Sequence, residues 1–271
     1  PVGGGPYMMD EWVAGSHVRL VRNPNYWNAP RPYLDSFTAQ MFSRRGSYGY
    51  SGEETYLTLL HAQLQPEVIY EEQLLKNGLA RFKLLVLVHC DVLTESVVKQ
   101  IQAFQQQGGL VIGDENLVPA ITPDLRIARV VRTRKGDVDH AAILANAAKL
   151  RAALEGKYVR PTECTNPEII TRLRTSGESD YVFAVNDARE FGTYVGQHGL
   201  IMENGLASEG EVSLLGQQRH VYDLMAGREV STEPRNGRLI WRVALGPCEG
   251  RIFLATPTAI HAVRVETPPT A

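Results

Sequence analysis

Leu84-Leu85-Val86-Leu87-Val88 is an uninterrupted apolar run, and its reading decides the fold class. A strand with one wet face alternates in polarity, whereas a strand covered on both faces by helices stays apolar throughout. Downstream, Thr94 stands as the N-cap of a helix over Glu95 to Gln107, with Val97, Val98, Ile101 and Phe104 on one side. Gly108-Gly109 closes that helix, and Leu110-Val111-Ile112 supplies the next strand. Strand–helix units of this length predict a mostly parallel sheet with right-handed crossovers.

The same rhythm extends upstream. Phe37 to Phe42 reads as a first strand, and Glu53 to Leu64 as a helix with Tyr56, Leu59, Leu60 and Leu64 at helical spacing. Glu67 to Tyr70 reads as a short strand and Glu71 to Leu79 as a short helix closing near Gly78. Further on, a helix is expected from Asp137 to Glu155, its small-residue face formed by Ala141, Leu144, Ala145, Ala148 and Ala152. From Asp180 the pattern becomes β. Strands are expected over Tyr181–Asn186, Glu211–Leu215, Arg219–Leu224, Arg238–Leu245, Arg251–Thr256 and Ile260–Val265, with Asn204-Gly205 and Asn236-Gly237 as hairpin turns. The expected architecture is therefore an extended segment over 1–35, an α/β domain over 36–135, a connecting helix over 136–159, and an antiparallel β-sandwich over 160–266.

The totals exclude several partners. An apolar share of 44% in 271 residues, with 21% charged, is enough to bury real cores. A net charge of −2 supplies no field for nucleic acid or an anionic membrane, and no apolar run is long enough to span a bilayer. Cys90, Cys164 and Cys248 lack the close spacing of a zinc site and allow at most one disulfide. No cofactor motif is present. Beginning at Pro1, with neither an initiator Met nor a charged-then-apolar leader, the sequence reads as an excised piece of a longer protein.

Two resemblances attach to particular words. Tyr56–Leu60, Val68–Glu72, the block Ala80-Arg81-Phe82-Lys83-Leu84-Leu85-Val86-Leu87 and the block Gln105 to Asp114 resemble a class I glutamine amidotransferase-like domain. More narrowly they resemble the version that serves as the trimerisation domain of family 42 β-galactosidases. This resemblance covers about residues 36–124 and implies a flavodoxin/amidotransferase-like parallel layer. Residues 180–256, ending in Leu245-Gly246-Pro247-Cys248-Glu249-Gly250-Arg251-Ile252-Phe253, are similar to the small β-domains that close many glycoside hydrolases. At the N-terminus, Val2-Gly3-Gly4-Gly5-Pro6-Tyr7, Glu11-Trp12-Val13-Ala14-Gly15 and Arg22-Asn23-Pro24-Asn25-Tyr26-Trp27 resemble family 5 extracellular solute-binding proteins of peptide-type transporters.

Candidate chemistry is sparse. Active amidotransferase-like domains place a nucleophilic Cys at a sharp strand-to-helix turn, where exposure and a helix N-terminus activate it. The corresponding turn, Ile112-Gly113-Asp114-Glu115-Asn116, holds no Cys or Ser, which argues for a domain that kept a fold and lost a reaction. Cys90 ends the apolar strand, but His89 beside it should point to the opposite face, so a small buried thiol is the plainer reading. Asp114 and Glu115 could serve as general acid or base, or simply cap backbone amides. Asp137, Asp139 and His140 open a helix, where capping and the helix dipole account for them without a metal. Gly46, Gly49 and Gly52 match no phosphate-binding spacing and read as a flexible loop, while Arg44 and Arg45 read as a solvated pair. The richest polar-aromatic stretch is Asn186 to His198, where Asp187, Arg189, Tyr194 and His198, beside Phe191, are the types that stack on and hydrogen-bond sugars.

The sequence names no substrate and no reaction. The expectation is a non-catalytic, structural or oligomerising and cleft-lining portion of a glycoside-hydrolase-like protein, whose partners are its own other domains, further copies of itself, or carbohydrate. Two alternatives stand beside it: a stand-alone hydrolase using Asp114, Glu115 or Cys90, and a remnant of a transporter solute-binding protein. The resemblances lean towards an extracytoplasmic setting, which nothing else in the residues fixes.

Overall fold

The computed structural model describes all residues except 1–4, 14–16, 29–35, 41–47, 134, 196–199, 217–218 and 264–271. The chain divides into two compact units, one of residues 1–52 and 69–129, the other of residues 53–68 and 130–271.

In the first unit β1 (Tyr7–Val13), β2 (His17–Arg22) and β3 (Ser36–Gln40) pair antiparallel in that order. Helix α1 (Tyr48–His61) follows, its residues from 53 onward belonging to the second unit. The first unit resumes with a single turn α2 (Glu71–Gln73) that runs into a π-helical turn over Leu74–Gly78. Next come β4 (Leu84–Leu87), α3 (Glu95–Gln106), β5 (Leu110–Gly113) and β6 (Leu125–Arg126). The strands β4, β5 and β6 form a parallel sheet. Val97, Ile101 and Phe104 of α3 pack with Leu85, Leu87 and Val111 in one cluster, so the apolar run and the helical stripe meet as their spacing demands.

The second unit contains helix α4 (Gly136–Ala153) and a β-rich remainder. Its strands are β7 (Thr162–Cys164), β8 (Ile169–Ser176), β9 (Ser179–Asn186), β10 (Arg189–Val195), β11 (Leu200–Gly205) and β12 (Ser208–Leu215). They continue with β13 (His220–Asp223), β14 (Arg228–Glu229), β15 (Glu233–Arg235), β16 (Arg238–Leu245) and β17 (Gly250–Thr256). One sheet runs β15-β16-β12-β7, a second β14-β13-β17-β9-β8, and β10-β11 make a separate ribbon. Val212, Leu214, Leu239, Trp241 and Val243 of the first sheet share one buried cluster with Ile169, Val182, Val221 and Phe253 of the second. The inward alternation of β16 (Leu239, Trp241, Val243, Leu245) is the one its sequence predicts. Asn236 and Gly237 take φ of 53° and 76°, as the β15–β16 turn requires.

Several local expectations are corrected. Glu67 to Tyr70 forms no strand: Val68 and Tyr70 are exposed and only Ile69 packs, so no period-2 face is buried. Residues 260–263 are likewise not a strand, with Ile260 and Val263 exposed; 264 and 265 lie outside the described residues. Asn204-Gly205 ends β11 rather than making a turn, and the glycine answers a close approach instead, since a Cβ there would sit 2.7 Å from Cys248 Sγ. Gly49 and Gly52 lie inside α1, not in a loop; Gly46, Arg44, Arg45, Met41 and Phe42 lie outside the described residues. Helix α4 buries Ile143, Ala147 and Leu150 and leaves Ala141, Ala145, Ala148 and Ala152 exposed, because larger apolar side chains gain more by burial than alanines. Thr94 has the extended backbone of an N-cap, yet its hydroxyl donates to Glu71 Oε1 rather than accepting from the helix. All three cysteines are free.

Candidate functional site

The helix expected after β5 does not form: residues 114–124 are a looped connection to β6, and it opens on Asp114, which is buried. Its Oδ2 accepts from the His89 amide at 2.9 Å and its Oδ1 from the Asn116 amide at 3.0 Å. Both oxygens therefore hold backbone, tying the loops after β4 and β5 together, and Glu115 beside it is exposed. Cys90 sits past the end of β4, half-buried, with its thiol donating to the Val88 carbonyl at 3.4 Å. Burial first, then the charges of Asp114 and Asp91, push that thiol up to about 11. The thiolate is the reactive form, so Cys90 is a poor nucleophile near neutrality. His89 takes φ of 55° and is buried, and its Nδ1 lies 3.4 Å from Asn116 Nδ2. Among the described residues no histidine hydrogen-bonds Cys90.

The polar-aromatic stretch gathers more. Asn186 is buried and fully used: Nδ2 donates to the carbonyls of Leu206 and Gly246, both at 2.7 Å, while Oδ1 accepts from the Ala188 amide and the Ser208 hydroxyl. That lock fixes the β9–β10 connection and aims Asp187 towards α1. Asp187 Oδ1 is paired with Arg189 Nη2, and Arg189 Nη1 reaches Glu203 Oε2 on the neighbouring strand at 2.6 Å. Asp187 Oδ2 lies 3.4 Å from His61 Nε2, within ion-pair range but without an aligned hydrogen bond. His61, from the last turn of α1, is only 1% exposed, and its Nδ1–H donates to the Pro167 carbonyl at 3.0 Å.

A second histidine–carboxylate pair stands alongside. His140, in the first turn of α4, lies 2.6 Å from Glu168 Oε1 through Nε2. Its ring meets His61 edge-on at 5.4 Å between centroids and Phe191 at 5.1 Å. The cluster thus joins two helix ends, the β7–β8 loop and the β10–β11 ribbon. Asp187 and Arg189, expected as ligand-binding residues, come together and bond each other. Tyr194 is placed on β10 opposite Ile201, with its side chain outside the description, and His198 lies outside the described residues. His61, Glu168 and Glu203 had no sequence signal, since each meets its partner across a long separation. His140 was visible only as part of a helix-opening group. Asp137, Asp139 and His140 do not converge: Asp139 Oδ1 accepts from Thr133, and His140 turns to Glu168. Among the described residues, no group of three or more His, Cys, Asp and Glu is arranged to hold a metal ion.

Burial pushes the Asp187 carboxyl up, but the His61 and Arg189 side chains beside it outweigh burial and hold it below the usual aspartate range. Asp187 is therefore a carboxylate that binds rather than an acid that donates. A carboxyl lowered on folding contributes stability above its unfolded pKa and loses it as pH falls through the folded value. The urea midpoint of the protein should accordingly fall below about pH 4, and Asp187→Asn should flatten that part of the profile. An unchanged acid limb in the variant would disprove the assignment.

Residues 1–48 match the model of the bacterial extracellular solute-binding proteins, family 5 middle. No curated protein matches the chain. Among solved structures, α-L-fucosidase isoenzyme 2 from Paenibacillus thiaminolyticus is similar at a TM-score of 0.56 and 12% identity, over 81% of this chain and 46% of that one. A GH42 β-galactosidase from G. stearothermophilus aligns at a TM-score of 0.47 and 14% identity, over 80% of this chain and 37% of its own. The β-galactosidase from Bacillus circulans sp. alkalophilus aligns at 0.44 and 12%, over 76% and 37%. The structural neighbours are glycoside hydrolases. At such identity the fucosidase likeness is one of fold, an α/β part with a β-rich part, and this chain spans less than half of that protein.

Proposed function

We propose that this chain is a non-catalytic portion of a glycoside-hydrolase-like protein: an amidotransferase-like layer of the trimerisation type, followed by a β-sandwich. Its role is to assemble with other domains or further copies and to present the 187–203 ribbon to carbohydrate or to a neighbouring domain. The observation that carries this reading is Asp114, whose two oxygens are both spent on backbone amides in the loop after β5, where the amidotransferase resemblance would place a nucleophile. The raised thiol of Cys90 supports it. The solute-binding match ends at residue 48, before the parallel sheet and the β-rich unit begin, so it lends no function to them. A stand-alone hydrolase is disfavoured, since Asp114 is held by backbone amides and burial raises the Cys90 thiol.

The test is direct. The purified chain should hydrolyse neither nitrophenyl β-galactoside, nor nitrophenyl α-fucoside, nor nitrophenyl esters above buffer rates. A turnover abolished by Glu115→Gln or Cys90→Ala would sink the proposal.

A further inference from the structure

The outward side of the β15-β16-β12-β7 sheet and the C-terminal end of α4 enclose a groove of about 610 Å³, within the size range of small-ligand sites. Its walls are unusually rich in guanidinium groups. Arg160 is 5% exposed; its Nε donates to the Ala62 carbonyl at 3.0 Å, and its Nη2 is buried without an acceptor. Among the described residues no carboxylate pairs with it. Arg238 donates from Nε to Ser213 Oγ and from Nη1 to the Arg160 carbonyl, both at 2.9 Å. Its Nη2 is 3.6 Å from Glu163 Oε1 and makes no hydrogen bond. Arg151 bonds Glu163 Oε2 at 2.9 Å through Nη2, while its Nη1 is buried and unsatisfied.

Arg151 and Arg238 therefore share the Glu163 carboxylate, Arg160 beside them is paired with none among the described residues, and each of the three keeps a nitrogen without an acceptor. Of the other carboxylates in the lining, Glu211 is taken by Arg235 at 3.2 Å, and Glu155 is exposed. Buried polar groups in folded proteins are almost always satisfied, and a buried charge is normally paired. The strain is visible in the charge balance: burial first, then the neighbouring Arg151, lowers the Arg160 pKa, and burial likewise lowers that of Arg238. The spare N–H groups lie out of contact with bulk solvent, and a neutral water would not offset the charge in any case. Planar guanidinium forks match the oxygens of carboxylates and phosphates in geometry as well as sign.

We propose that this groove is a binding site for a small ligand bearing an oxyanion, gripped by Arg160, Arg151 and Arg238 around Glu163. A sugar acid and an inorganic oxyanion offer the same chemistry, and the volume suits the former. The site is independent of the accessory role proposed above.

Calorimetric titration of the full chain at constant ionic strength, set with chloride, tests the site with D-glucuronate, inorganic phosphate and D-glucose. Saturable binding of glucuronate is expected, with glucose silent; binding of phosphate alone would assign the site to an inorganic oxyanion and sustain the proposal. Arg160→Met should weaken the bound anion by about tenfold or more, the value of a lost charge-assisted hydrogen bond. Should that variant fail to fold, Arg151→Gln, altered at a part-exposed side chain, should show the same loss. Absence of binding by both anions, equal binding of glucose, or an affinity unchanged in Arg151→Gln would overturn the proposal.

Discussion

Gln63→Leu should destabilise the second unit by about 3–5 kcal/mol, more than any surface change. Gln63 follows α1 with φ of 59° and is 1% exposed. Its Nε2 donates to the Ile169 carbonyl at 3.0 Å, and its Oε1 accepts from both the Cys164 amide and the Thr171 hydroxyl, at 3.2 and 2.9 Å. One amide thus satisfies three buried groups on β7 and β8. Leucine fills the volume but leaves all three unpaired, and each orphaned buried group costs about 1–3 kcal/mol. Gln65→Leu is the internal comparison. Its Oε1 holds a single partner, the Leu173 amide at 3.0 Å, so a loss of about 1 kcal/mol is expected. Urea unfolding of the two variants should separate them by at least twofold in free energy. Equal losses would mean that shape, not polar pairing, docks the end of α1.

Trp241→Ala should rank beside it. Trp241 lies on β16, 2% exposed, with its ring centroid 5.4 Å from that of Phe253 on β17 of the other sheet. Large-to-alanine changes at such sites cost about 3–5 kcal/mol, because lost burial is compounded by the cavity left behind. A fall in melting temperature of roughly 10–15 °C follows for a unit of this size. Trp241→Phe should behave differently. The indole Nε1 is buried without a partner, so phenylalanine gives up some contact but also removes an unsatisfied donor. Its cost should stay near 1 kcal/mol. Near-ultraviolet circular dichroism with thermal melts distinguishes the two, and a tolerated alanine would show that the shared cluster is loosely packed.

These two residues also show where sequence reading succeeds and stops. Trp241 was legible: Leu239, Trp241, Val243 and Leu245 alternate, and a period-2 apolar row identifies its own buried face. Gln63 was not. It sits two residues past His61 in an ordinary polar helix end, and its partners are more than 100 residues away. The face of α4 was misread for a related reason. Its small residues form a regular stripe, but the choice of the buried side went to Ile143 and Leu150, which only a partner surface selects. Asp187 and Arg189 were recognisable as candidate ligand-binding residues, whereas His61, Glu168 and Glu203, which complete the cluster, were not. Within the arginine groove, Arg160 and Glu163 are neighbours in sequence, but Arg238 enters from β16.

By itself, the sequence determined those features whose causes act within a few residues: the strand at Leu84–Leu87, though only its Leu85 and Leu87 face is fully buried, the helix of α3 ended at Gly108-Gly109, and the Asn236-Gly237 turn. Apolar periodicity and allowed φ/ψ are local properties, so a linear reading recovers them. Which charges would meet was decided only by the tertiary structure. Arg160 donates to a carbonyl 98 residues away, and His61 to one 106 residues away. Charged side chains are long and their pairing depends on position and burial rather than on neighbours in the chain, so packing alone could bring Arg151 and Arg238 to one carboxylate and bury Arg160 beside them without one among the described residues.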